Sequence, residues 1–142
     1  MTETKLSNPK DAIGVTKPYF STVPSMVVAE LGLAMLEGAA KYGRHNYRAV
    51  GVRASVYYDA ARRHMDRFWD LGENIDPDSG LHHLVKAMAC LAVIRDSMLM
   101  KNWVDDRPPP IPTEVWGDIE RLTKEMLERY PEPKQAFTAL GN

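Results

Sequence analysis

The stretch Val27–Arg48, VVAELGLAMLEGAAKYGRHNYR, decides how the chain is read. Val27, Leu31, Met35 and Gly38 fall on one helical stripe, and Leu33, Leu36 and Ala40 make a second beside it. The pattern predicts one long, mostly buried helix with Glu30, Ala34, Glu37 and Lys41 sharing a face. Pro24 suits the first helical position and Gly43 the position just past the end. Carboxylates on a buried helix need a partner or a metal ion. The simplest partner for Glu37 is Lys41 one turn on, a pairing worth only about 0.2–0.5 kcal/mol on a surface. The polar run Lys41–Arg48 comes directly after, and it gathers charge, aromatic rings and a histidine into a few residues.

Residues 1–23 show no helical period and are punctuated by Pro9, Gly14 and Pro18. They read as an irregular segment laid on the domain by Tyr19, Phe20 and Val23, leaving Lys10 and Lys17 to reach an anion. A second helix is expected from Val56 to Leu71 with Ser55 as N-cap. Its apolar face holds Tyr57, Ala61, His64, Phe68 and Leu71; Asp59, Arg62, Arg63, Asp66 and Asp70 make the polar one. A histidine on such a face is ordinarily a hydrogen-bonded core residue. The acidic turn Glu73–Gly80 offers Asp76 or Asp78-Ser79 as a cap for the next helix, or as part of a cation or nucleotide site. That third helix, Leu81–Met100, is expected to bury Leu81, Leu84, Met88, Leu91 and Met98, with a narrower strip of His83, Ala87 and Cys90 lying in a helix–helix seam. After the proline run Pro108–Pro112, Thr113 should cap a last helix, Glu114–Tyr130, whose stripe is Val115, Ile119, Leu122, Met126 and Tyr130. Period-2 alternation is absent throughout. The reading is an all-α bundle of three core helices plus a C-terminal helix. It forms one domain over 1–142, divided into a docking segment (1–23), a helical core (24–100) and a proline linker, helix and tail (107–142).

Composition narrows the function. With 142 residues and a formal net charge of −1, the chain has room for one core and no basic field for a nucleic acid polymer or an anionic membrane. The single cysteine, Cys90, lies in an apolar run and suits a reducing cytoplasm. Neither a leader nor a run long enough to span a bilayer is visible. Phosphate-binding glycine motifs, a cysteine cluster for zinc and a serine-hydrolase elbow are all missing. His64 and His82-His83 lack the adjacent His-Asp pair of HD phosphohydrolases. What remains is carboxylates on helices among lysines, arginines and aromatics, a set suited to Mg²⁺ or Mn²⁺ and their phosphate partners.

Four blocks carry a resemblance: NPKDAIGVTKP (8–18), EGAAKYGRHNYR (37–48), YYDAARRH (57–64) and DPDSGLHHL (76–84). In this order they resemble the phage dATP/dGTP diphosphohydrolase N-terminal family, which is related to the MazG-like all-α nucleotide pyrophosphohydrolases. The resemblance implies hydrolysis of a purine (deoxy)nucleoside triphosphate, (d)GTP first and dATP second, to the monophosphate and pyrophosphate. It implies two or more Mg²⁺ or Mn²⁺ ions per site and a homodimer or homotetramer with sites near subunit contacts, to which Leu33, Leu36 and the last helix would contribute. In phages that replace adenine with 2-aminoadenine, the monophosphate would feed synthesis of that nucleotide.

MazG-like enzymes carry E-x-x-E on one helix and E-x-x-D on the next, whereas here Glu30 and Glu37 stand a heptad apart and Asp59 is followed by Arg62 and Arg63. The ligands therefore do not transfer by motif. Glu37, Asp59 and His83 are the expected catalytic residues, and Glu30, Glu37, Asp59 and Asp78 the expected metal ligands. Lys10, Asp11, Lys17, Lys41, Tyr42, Asn46, Arg63 and His64 are the expected substrate contacts. The alternatives are an HD-like enzyme releasing tripolyphosphate, or a non-enzymatic helical module that binds a partner through its last helix.

Overall fold

The structure, a computed structural model, describes residues 8–141. Its helices are α1 (Pro9–Gly14), α2 (Ser25–Tyr42), α3 (Asn46–Val50), α4 (Ala54–Trp69), α5 (His83–Leu99) and α6 (Thr113–Arg129), with a 3₁₀ turn at Phe20–Thr22. No strand occurs among the described residues, only isolated bridges joining Arg53 to Val104 and Ile75 to His82. The fold is all-α, as the periodicity predicts. No helix among the described residues is long and apolar enough to cross a membrane. The chain forms two compact units that divide between Arg107 and Pro108.

In the first unit α5 is the hub, packing most extensively on α4, then on α2 and α3. The contact is made by small side chains. Ala61 of α4 and Ala87 of α5 are buried, and so are Val85, Val93, His83 and Ser97 of α5. The expected core stripe of that helix, which Val85, Ala92 and Ile94 broaden, holds only in part: Val85 is buried and Leu81, Met88 and Met98 are half-buried, but Leu84 and Leu91 are exposed, while His83 and Ala87 of the narrow strip are buried. Small residues suit a helix–helix seam because they leave little volume to fill between facing helices. The expectation that α2 is mostly buried is corrected too. Ala34 alone is fully buried there, while Leu33 and Leu36 are more than half exposed.

Several boundaries move for local reasons. Pro24 takes the cap position of α2 rather than its first turn. The expected loop before Gly51 contains α3. Ser55 lies inside α4, not at its cap: the Asp106 carboxylate accepts from the Ser55 N–H at 2.9 Å and from its hydroxyl, doing the capping from a distant segment. At the start of α5 the cap is His82, whose Nδ1 accepts from the Leu84 N–H at 3.1 Å. Asp76 instead closes its own turn, accepting from the Asp78 N–H at 3.1 Å and the Ser79 hydroxyl at 3.0 Å. α1, capped by the Asn8 side chain, falls in the stretch read as irregular, and Tyr19, Phe20 and Val23 are exposed rather than docked.

A buried polar joint fixes the α3 corner. The Ser97 hydroxyl accepts from the Val52 N–H (3.2 Å) and donates to Asn102 Oδ1 (2.8 Å), while Asn102 Nδ2 donates to the Arg48 carbonyl (2.7 Å). Arg48 also pairs with Asp96 through Nη2 (2.6 Å) and Nε (3.3 Å). Gly51 adopts φ 73° and ψ −177° against Asn102, a region in which only glycine is at ease.

In the second unit α6 begins at Thr113 with Pro112 in the cap position, not with Thr113 as cap. Its apolar stripe, Val115, Ile119, Leu122, Met126 and Tyr130, is exposed.

Candidate active site

α2 ends at Tyr42, and the chain leaves it through Gly43 (φ 93°) and His45 (φ 66°), both in the positive-φ region that favours glycine. This sharp exit starts α3 at Asn46 and folds Tyr42, Asn46 and Tyr47 around a cleft of about 200 Å³. Glu37 and Lys41 of α2, Tyr57 and His64 of α4, and Lys86 and Cys90 of α5 complete its lining.

Charge along the wall is arranged as a chain. Lys86 Nζ donates to Glu37 Oε1. Lys41 Nζ lies 3.8 Å from Glu37 Oε2 and 3.6 Å from Asp78 Oδ2. The side chains of Lys86 and Glu37 are 18% and 20% exposed, whereas that of Asp78 is 81% exposed, so the chain runs from half-buried to open. Glu37 holds the Lys41 ammonium above its ordinary value, outweighing the opposing desolvation, and Asp78 adds to the effect. Burial pushes the Cys90 thiol and the Tyr57 phenol upward, which leaves both protonated and unreactive at neutral pH.

Behind the cleft runs a second chain. His64 Nδ1 lies 2.8 Å from His83 Nδ1, and His83 Nε2 lies 2.7 Å from Glu73 Oε1. Arg67 Nη1 stands 3.4 Å from the same Glu73 oxygen. His83 is fully buried, while His64 is half-buried and reaches the cleft. Burial lowers the His64 pKa below its ordinary value. The hydrogen bond from His83 holds the Glu73 carboxylate below the usual range, with Arg67 adding to it.

The structure thus gathers Glu37, Lys41, Tyr42, Asn46 and His64 at one cleft, with Asp78 at its rim and His83 behind it. Glu30, Asp59, Arg63, Lys10, Asp11 and Lys17 are exposed and do not line it. The sequence assigns no site role to His45, Tyr57 or Lys86, and Glu73 enters there only as part of the acidic turn Glu73–Gly80. Lys86 did leave a signal. It is the only charged residue in the first twelve positions of α5, and a charge on so apolar a helix needs a partner.

No three His, Cys, Asp or Glu side chains among the described residues come together as a ready metal cage. Mg²⁺, however, is usually held by one or two carboxylates together with waters and substrate phosphates. Glu37 and Asp78, on either side of the Lys41 ammonium, supply such a pair. Their donors are carboxylate oxygens, the type a hard cation takes.

Comparison with known proteins returned no match among curated proteins and none among solved structures. A family model, described as dATP/dGTP diphosphohydrolase, N-terminal, matches residues 7–107. That span covers α1 to α5 and every residue of the cleft, and it stops where the second unit begins. The chain belongs to the dATP/dGTP diphosphohydrolase N-terminal family, a family of nucleotide hydrolases.

Proposed function

We propose that the cleft hydrolyses a purine deoxynucleoside triphosphate, dGTP or dATP, to the monophosphate and pyrophosphate. The observation that carries this reading is the run Lys86–Glu37–Lys41–Asp78 along the wall of an aromatic-lined cleft. Two ammonium groups fixed by one carboxylate are pre-positioned for phosphate oxygens once cations on the substrate take over the carboxylates, and positioning with charge neutralisation is most of what phosphoryl transfer asks of a protein. Tyr42, Tyr47 and Asn46 offer ring faces and an amide to base and sugar. Glu37 and Asp78 would hold Mg²⁺ or Mn²⁺. When bound, such cations offset phosphate charge and lower the pKa of a coordinated water.

Two or more ions per site, and an assembly of two or four copies, belong to the same proposal. The exposed Leu33 and Leu36 faces of α2 are available for such assembly. In a 2-aminoadenine phage the monophosphate would feed synthesis of the modified nucleotide.

The test is incubation of the full chain with each dNTP, with Mg²⁺ or Mn²⁺, followed by anion-exchange chromatography. Release of monophosphate and pyrophosphate in equal amounts, fastest with dGTP or dATP, is the expected result. Release of tripolyphosphate, or no turnover of any nucleotide, would refute it.

A further inference from the structure

The second chain of side chains has a direction. A carboxylate only accepts hydrogen bonds, so His83 Nε2 carries the proton shared with Glu73 Oε1 at 2.7 Å. In the neutral pair that leaves His83 Nδ1 as an acceptor, and the bond at 2.8 Å must come from a proton on His64 Nδ1. His64 Nε2 is then the bare nitrogen. It has no protein partner among the described residues, and it belongs to the one ring of the pair that lines the cleft. A fully buried imidazole in a helix seam is costly unless it is satisfied on both sides, and here its two bonds reach residues 19 and 10 positions away in sequence. The result is a base held from behind by an orienting ring, which is in turn held by an acid.

We propose that His64 is the general base of this site, with His83 and Glu73 as positioning residues that fix its tautomer. The proposal rests on the hydrolase reading of the cleft. In the step, water loses a proton to His64 Nε2 as its oxygen forms a bond to the α-phosphorus. The bond from that phosphorus to the bridging oxygen breaks, and its electron pair departs on pyrophosphate. The imidazolium then returns its proton to solvent at the open mouth of the cleft. The charged groups facing His64 are His83 and Lys86 from α5, Arg63 on its own helix, Asp76 from the loop before α5, and Glu37 and Lys41 across the cleft from α2. The burial that lowers the His64 pKa keeps the base free of its proton at neutral pH.

Steady-state kinetics over pH on wild type, His64→Gln and Glu73→Gln, with two-bond ¹⁵N–¹H NMR of the wild-type imidazoles, test this. In His64→Gln, kcat should fall by about 10²–10⁴-fold with KM within a few-fold, and the acid limb of the kcat profile should vanish. Glu73→Gln should move that limb while leaving KM near wild type. The NMR should show His64 protonated at Nδ1 and bare at Nε2. A His64→Gln enzyme within tenfold of wild-type kcat would overturn the base role and leave the hydrolase reading standing. A wild-type chain that turns over no nucleotide would remove that reading and the base role with it. An Nε2-protonated His64 would overturn the proposal whatever the kinetics, including where a variant fails to fold.

Discussion

Replacing Lys86 with methionine tests the charge chain most directly. The substitution keeps the stem and removes the ammonium, so Glu37 loses its closest partner and retains only Lys41 at 3.8 Å. A hydrogen bond between charged groups contributes about 1.5–3 kcal/mol. Both side chains keep about a fifth of their surface exposed (18% and 20%), so water recovers part of that loss. The expected cost is about 1–2 kcal/mol, between a surface pair and a broken buried one. In a unit of this size each kcal/mol lowers Tm by roughly 4–8 °C, so the variant should melt about 5–10 °C below wild type. Glu37→Gln strands the Lys86 ammonium and should cost a similar amount. The double variant should be less destabilised than the sum by about 1 kcal/mol, because the second change removes a charge that the first left unpaired. Thermal and urea unfolding of the four proteins reads this cycle. Turnover of dGTP by Lys86→Met should fall by about 10²-fold in kcat/KM through loss of one fixed cation facing the phosphates. Strict additivity in the cycle, or an unchanged Tm in Lys86→Met, would show that the Lys86–Glu37 pair does not hold the wall together.

Ser97→Ala should cost about 1–3 kcal/mol and raise KM, since the Val52 N–H and Asn102 Oδ1 both lose their partner and the corner that carries Asn46 and Tyr47 loosens; urea unfolding and a nucleotide titration check it. Gly51→Ala should cost about 2–5 kcal/mol, because its Cβ would sit 2.9 Å from the Asn102 carbonyl carbon in a backbone region closed to other residues; circular dichroism melting reads the loss. Stability should decline on acidification. Glu73 is held below its ordinary 4.5, first by the His83 bond, and Asp76 below its ordinary 3.8, where burial is outweighed by bonds from the Asp78 N–H and Ser79. Both contribute fully above those values and progressively less as pH falls through them. His64 acts with the same sign, since its pKa is lowered from 6.5 and the unfolded chain takes up that proton first. Tm measured between pH 8 and 4 should therefore begin to fall near pH 6.5 and fall further below about 4.5, and Glu73→Gln should flatten the lower part.

Periodicity was enough to fix the class and the place of the four long helices, because a stripe at 3.6 residues per turn survives any packing arrangement. It was only partly right about α5, where Val85, His83 and Ala87 are inside as expected but Leu84 and Leu91 are not. Hydrophobicity ranks Leu84 and Leu91 above Ala87, yet Ala87 is buried and the two leucines are exposed, since burial depends on where the neighbouring helices lie and not on hydrophobicity alone. Caps failed for a related reason. Ser55 and Thr113 fit the local rule, yet Asp106, about fifty residues from Ser55, supplies the carboxylate that ties down the first turn of α4. No local pattern encodes a partner at that distance. The site was half legible. Glu37, Lys41, Tyr42 and Asn46 lie in one contiguous block, so the chain itself brings them together. His64, His83 and Glu73 meet only once α4 and α5 are packed, and each alone reads as an ordinary core or surface residue.

The charge count in the cleft sets how the proposed metal–nucleotide complex would have to bind. Lys41 and Lys86 carry two positive charges, Glu37 and Asp78 carry two negative ones, and the chain of four is neutral. A fully ionised triphosphate approaching that wall finds ammonium groups already committed to carboxylates. Either it shares them, which weakens every contact involved, or it brings cations that take over the carboxylates and release the lysines to the phosphates. The second arrangement leaves no charge unpaired. Glu37 is then the pivot, since both of its oxygens face an ammonium that the proposed substrate would also need. Its removal should free the lysines to bind nucleotide more tightly in the absence of divalent ions while abolishing turnover in their presence. A Glu37→Gln variant that bound nucleotide no better than wild type in EDTA would refute the exchange.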